Sequence, residues 1–175
     1  MKLLKMKVLK LKNFKVSIYI QNPIFTKEKS NCKVIKKFMI SNNTVVMTIY
    51  KHSPTVINLT GLKNVRNLDD VSSILIKTFS CKIKQIKIDS FFFTTKLNKK
   101  IDLEETMTAI RSYKQYFVSY ESEIFPALIC KPKISKKYPS AFFFQTGSVI
   151  ILAGSQSIRK IALFIKHISE ALKFK

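Results

Sequence analysis

The chain reads as an α+β protein: an antiparallel sheet of alternating apolar and polar strands, backed by amphipathic helices. Three observations predict this class. Ser140 to Gly154, SAFFFQTGSVIILAG, reads as a pair of strands. Asn64 to Phe79 and Gln156 to about Phe174 repeat apolar residues at helical spacing. An apolar content of 46% over 175 residues is enough for a substantial core.

Taken in order, Leu11 to Ile20 alternates and is rich enough in β-branched residues for a first strand, which Asn22-Pro23 stops. Lys33 to Ser41 and Thr44 to Tyr50 follow as strands about Asn42-Asn43, a pair suited to the positive φ angles of a tight hairpin. Thr55 to Thr60 comes after a turn at Ser53-Pro54, and Gly61 ends it. Val65, Leu68, Val71, Ile74 and Leu75 then share a helical face. Lys82 to Phe93 opens a second series of strands. Asp102 with Glu105 three residues on is a helix-capping pattern, and Leu103, Met107, Ile110 and Phe117 are assigned to one face of a helix spanning 102 to 117. The last helix lines up Ile158, Ile161, Ile165, Ile168 and Leu172. Stripes of this kind pack on one side of the sheet and leave the other side free.

That free side is not an ordinary wet face. Phe142 and Phe144 alternate to one side of their strand and Phe143 to the other, so both faces present large rings. A face meeting only water is not built of phenylalanine, so one of the two has a use beyond packing. Just before this pair stands YESEIFPALI, Tyr120 to Ile129. Proline gives no amide to a ladder, which places Phe125-Pro126 at a loop or edge where a ring can meet a partner.

The 32 Lys and Arg against 10 Asp and Glu give a formal charge of +22. A polyanion is the expected partner, nucleic acid first and an acidic membrane surface second, although a bias toward A/T-rich codons also favours lysine. Cys32, Cys81 and Cys130 are odd in number, widely spaced and lack a CxxC, which points to neither a disulfide framework nor a zinc site and fits a reducing compartment. Lysines interrupt every apolar run of MKLLKMKVLKLKNFKV, so no signal peptide is expected there, and no stretch approaches a membrane span.

From Ile86 onward the order IKID, helix, YESEIFPALI, AFFFQTG, ILAGS and closing helix resembles the second direct repeat of the TATA-box-binding protein family. The resemblance implies a single domain over 1–175, a saddle of two direct repeats forming one curved antiparallel sheet with helices on its convex face. The first repeat is placed at 8–80 and the second at 81–175. Offsets within the chain agree with duplication: 93 residues separate Gly61 from Gly154 and Cys32 from Phe125, and 94 separate Tyr50 from Phe144. Asn13 and Ser90 are only 77 apart, so about sixteen residues are missing between the first and second strands of the first half, and the 102 to 117 helix is assigned as shrunk to the Asn22 to Asn31 segment.

Carried over residue by residue, the resemblance implies that Phe125 and Phe144 are the ring pair that kinks DNA in the second repeat. In the first repeat the pair falls near Cys32 and on Tyr50, of which only the tyrosine stacks well. Asn13 matches one of the two asparagines that meet acceptors of the minor-groove floor, and Ser90 stands for the other. Floor contacts fall on Lys15, Asn58, Phe92, Phe142 and Ile151, with Thr60 and Ala153 at the family's two threonines. Lys15 departs furthest, exchanging shape contact for a charge within reach of a phosphate. Lys63 and Lys131 match basic backbone-contacting positions, whereas Gln156 has lost its charge. Glu121 and Glu123 match the acidic pair that meets transcription factor IIB. Taken singly, a strand phenylalanine suits a core better than a ligand face, and it is the resemblance around Phe125 that reverses this; Asn13 suits a polar strand edge equally well, and Thr60 a plain strand end.

The function so implied is that of a general transcription initiation factor in the nucleus. It binds and bends double-stranded A/T-rich DNA through the minor groove and nucleates the preinitiation complex with a factor IIB-like protein, and further with factor IIA-like and TATA-binding-protein-associated factors. No cofactor, metal or membrane partner is expected. An enzyme is disfavoured: His52 and His167 lie in different halves, no acid pair or Ser/Cys nucleophile stands beside a base, and three Gly are few for a phosphate loop. The alternative from the residues alone is a basic RNA- or single-strand-binding protein that stacks bases on its phenylalanines.

Overall fold

In a computed structural model the described residues are 9–22, 33–50, 52–133, 139–155 and 158–172. The chain forms two compact units, one from Leu11 to Phe91 and the other from Phe92 onward with the residues up to Lys10.

The Leu11–Phe91 unit contains β1 (Lys10–Ile20), β2 (Lys33–Ile40), β3 (Asn43–Tyr50), β4 (Ser53–Leu62), α1 (Asn67–Phe79) and the first part of β5 (Ile83–Lys96), with strand order β2-β3-β4-β1-β5. Its core forms where alternate residues converge: Phe14, Val16 and Ile18 of β1, Val45, Met47 and Ile49 of β3, and Ile57 and Leu59 of β4. Val71 and Leu75 bring α1 onto that side. Ser41 and Asn42 take the two positive φ angles, 45° and 62°, so the hairpin turns one residue earlier than the Asn42-Asn43 expectation and Asn43 begins β3. The register that sends Val45, Met47 and Ile49 inward decides this, because a one-residue slip would turn all three outward. Gly61 lies inside β4 instead of ending it. At φ +97° it supplies a bulge opposite Phe14–Val16, where any Cβ would collide with the carbonyl oxygen of Thr44.

The second unit holds the end of β5, α2 (Leu103–Arg111), β6 (Tyr116–Ser119), β7 (Ala127–Pro132), β8 (Ser140–Phe144), β9 (Ser148–Gly154) and α3 (Ile158–Ala171), ordered β5-β9-β8-β7-β6. Asp102 caps α2 as expected, its Oδ1 accepting from the Glu105 amide at 2.8 Å. The helix stops at Arg111, six residues short of the expected end. Residues 112–115 turn instead and lead into the strand β6, whose Tyr116 and Val118 enter the core while Phe117, expected on the helix's apolar face, stands 54% exposed. The segment after Asn22, together with Cys32 and Gln156, lies outside the described residues.

Leu103 and Ile110 of α2 and Phe164 and Ile168 of α3 pack against Leu128, Cys130, Ala141, Phe143, Val149 and Ile151. Helices thus occupy one face of the strands in each unit, and alternation hands the other face a separate set of side chains.

Candidate nucleic-acid interface

In the second unit the free face follows from the ladder. Phe142 pairs with Ile129 on one side and Ile150 on the other, and Phe144 pairs with Ala127. Directly opposed residues in an antiparallel pair share a face, so these side chains form one surface. Phe125 arrives from the turn preceding β7. The amides of Ile124 and Phe125 both donate to the Glu121 carbonyl, at 3.0 and 2.9 Å, and Pro126 follows. This turn sets the Phe125 ring edge-on to Phe142 (centroids 6.0 Å, 83°) and Phe144 (6.3 Å, 66°). Edge-to-face packing of this kind holds the three rings in a fixed arrangement. Phe125 nevertheless remains 39% exposed. Complete burial of a phenylalanine stabilises by roughly 1.5–3 kcal/mol, so a ring left in water stores part of that for a partner. Phe92, between the core-packed Phe91 and Phe93, turns to the same side of β5.

Two expected floor contacts are placed elsewhere. Ile151 and Ala153 are each 1% exposed, and Ile151 packs beneath α3 as part of the helix-side core. Each stands one residue away from a free-face position, and in a strand one residue is the other face. The residues on the free face are Ile150 and Leu152, paired with Phe142 and Ser140. The signal was present in the sequence: once Phe142 and Phe144 share a side, the hairpin fixes which residues of β9 join them. Phe117 was missed for a different reason, having been assigned to a helix; it pairs with Lys131, the exposed basic position of β7.

In the Leu11–Phe91 unit, Asn13 and Lys15 alternate with the core residue Phe14, and Asn58 and Thr60 alternate with Leu59, so all four lie on the face away from α1. The Asn13 Oδ1 accepts from the Gly61 amide at 2.8 Å. With its oxygen so engaged, the amide group turns its NH₂ donors outward. Tyr50 is exposed at the end of β3 and packs on the His52 ring at 5.4 Å. Phe38, on β2, packs against the core. Lys63 is exposed in the connection to α1, and Ser90 is half-buried in β5 between the core-packed Ile88 and Phe91.

Glu121 and Glu123 are both exposed on the turn that presents Phe125. Between them and the ring stands Ile124, 78% exposed, an apolar residue on the surface that the sequence reading passed over. The Tyr116 hydroxyl and His167 Nδ1 are hydrogen-bonded at 3.0 Å in the packing of α3 on β6, and burial pushes the Cys130 thiol up to about 12. Among the described residues no group of three or more His, Cys, Asp or Glu is placed to hold a metal.

Helices on one face of the strands and, in the second unit, rings beside an exposed lysine on the other define an α+β sheet protein with one open face. The family model described as transcription factor TFIID, or TATA-binding protein, matches residues 85–174, and the chain belongs to that family. The family is one of non-enzymatic, DNA-binding transcription factors. Among solved structures, the TATA-binding protein of Methanococcus jannaschii is similar with a TM-score of 0.71 and 21% identity, over 95% of this chain and 98% of that one. That likeness shows the fold, the single antiparallel sheet with helices that the sequence led us to expect. No curated protein matches the chain.

Proposed function

We propose that the protein is a promoter-binding initiation factor that enters the minor groove of A/T-rich duplex DNA, unstacks a base step with Phe125 and Phe144, and bends the helix. The observation that carries this reading is the trio of Phe125, Phe142 and Phe144, fixed edge-on and left in contact with water. Minor-groove hydrogen-bond readout is sparse, and apolar side chains wedged between base steps supply binding there instead, a mechanism of which TATA-binding proteins are themselves the type example. Phe92, Ile150 and Leu152 extend the apolar contact, replacing Ile151 and Ala153 in that role. Asn13, Asn58, Thr60 and Ser90 meet the groove floor, Tyr50 stacks at the outer end of its unit, and Lys15, Lys63 and Lys131 reach phosphates.

Glu121, Glu123 and the apolar Ile124 between them and the wedge suit a basic partner with a hydrophobic pocket, which we assign to a factor IIB-like protein. The exposed Arg66 and Arg159, on the helix side of their units, suit acidic partners of the factor IIA-like or TATA-binding-protein-associated kind. The two units are read as diverged direct repeats, and the site of action as the nucleus.

Rings on a sheet also suit stacking of single-stranded bases, so a competition experiment separates the two uses. Labelled A/T-rich duplex is expected to resist displacement by single strands or RNA of the same length. Affinity is expected to fall steeply from low to moderate salt, because lysine–phosphate contacts release counterions. Preferential displacement by single strands would overturn the reading.

A further inference from the structure

The free face of the Leu11–Phe91 unit carries a polar relay that a groove-floor surface of apolar contacts does not need. Val16 and Ile18 both point into the core, so Ser17 between them points away from it, yet it is only 7% exposed. Its hydroxyl lies 2.5 Å from Asp89 Oδ2 and 3.4 Å from the position of Asn58 Oδ1, the residue directly opposite on β4. Asp89 follows the core-packed Ile88 and reaches the same side as Ser17. A hydroxyl has one hydrogen, and the short contact to a carboxylate claims it. Two oxygens would then face each other at the longer contact, so the Asn58 amide is better turned over, with Nδ2 donating to Ser17 Oγ. The relay runs from the Asn58 amide through the Ser17 hydroxyl to Asp89. It leaves the Asn58 carbonyl oxygen and the remaining capacity of the Asp89 carboxylate as acceptors on this face.

The minor groove answers such acceptors unequally. A·T and T·A pairs present only acceptors there, whereas a G·C pair adds the guanine N2 amino donor. Asn13, which turns donors outward, suits A·T. We propose that Asp89, held by Ser17, together with Asn58 forms an acceptor site for the guanine amino group. The DNA contacted by this unit then admits a G·C pair at one position, where an apolar floor would demand A·T. In this assignment Asp89 is the reading residue and Ser17 positions it. The inference rests on the minor-groove reading above.

Inosine tests it, because an I·C pair differs from G·C in the groove only by the missing amino group. In an A/T-rich duplex, a single pair is set in turn to A·T, G·C or I·C at each position, and binding by the whole protein is measured. At one position, or two adjacent ones, G·C is expected to bind about tenfold more tightly than I·C, the scale of one good base contact. Asp89→Asn keeps an acceptor for Ser17 and so keeps the fold, but offers an NH₂ outward; preference at that position is expected to move to A·T and I·C. Ser17→Ala is expected to blunt the G-over-I preference without reversing it. If the parent binds I·C as well as or better than G·C at every position while still choosing A/T-rich duplex over single strands, the acceptor site is wrong and the groove reading stands. If the parent shows no duplex preference at all, both fall.

Discussion

Replacing Phe125 and Phe144 together by alanine is expected to abolish DNA bending while leaving salt-sensitive, sequence-indifferent binding in place. The two properties separate because they draw on different side chains. Sequence-indifferent affinity comes from the cationic surface of a chain with a formal charge of +22, which the double substitution does not change. Bending requires rigid apolar wedges to offset the stacking lost at a base step, a term of a few kcal/mol. Phe125 is held by the Glu121 carbonyl turn and packs edge-on against Phe144 and Phe142, so replacing Phe125 and Phe144 leaves Phe142 as the one ring of the trio. Both rings retain exposure to water, so stability is expected to change by no more than about 1–2 kcal/mol, well below the cost of emptying a core site. Energy transfer between labels at the ends of an A/T-rich duplex checks the result; a double variant that bends DNA as the parent does would remove these residues from the mechanism.

Phe143→Ala is expected to have the opposite signature. This ring is fully buried between Leu128 and Val149, its neighbours on β7 and β9, under the helices of its unit. Truncating a buried phenylalanine costs about 3–5 kcal/mol, through lost transfer energy and the cavity left behind. That is a large share of the 5–15 kcal/mol by which a domain is usually stable. Denaturant unfolding should show the loss directly, whereas Phe142→Ala, one residue away on the other face, should unfold near the parent's midpoint and lose DNA affinity. Three consecutive phenylalanines would thereby divide into one that holds the fold and two that face the ligand.

That division was legible in the sequence because alternation in a strand is strict. So were the α+β class, the capping of α2 by Asp102 and the placement of Phe125 beside a proline outside the ladder. The failures share a physical cause: wherever a single residue decides which face a side chain takes, local pattern alone does not supply the register. Ile151 and Ala153 are one position from Ile150 and Leu152, yet they are core. Phe117 completed a helical stripe at a spacing of seven from Ile110 and equally well an alternation with Tyr116 and Val118; four residues are too few to choose between the periods, and pairing with β7 decides. The Asn58–Ser17–Asp89 relay joins residues 41 and 72 positions apart in sequence, which no local reading brings together.

The central claim is that the free, ring-bearing face is a tool for deforming A/T-rich duplex DNA. Its most direct test is end-to-end energy transfer on A/T-rich and G/C-rich duplexes of equal length, saturated with the parent protein. The account predicts a shortened end-to-end distance on the A/T-rich duplex and little change on the G/C-rich one. Equal, unchanged distances on both, with the protein demonstrably bound, would contradict it.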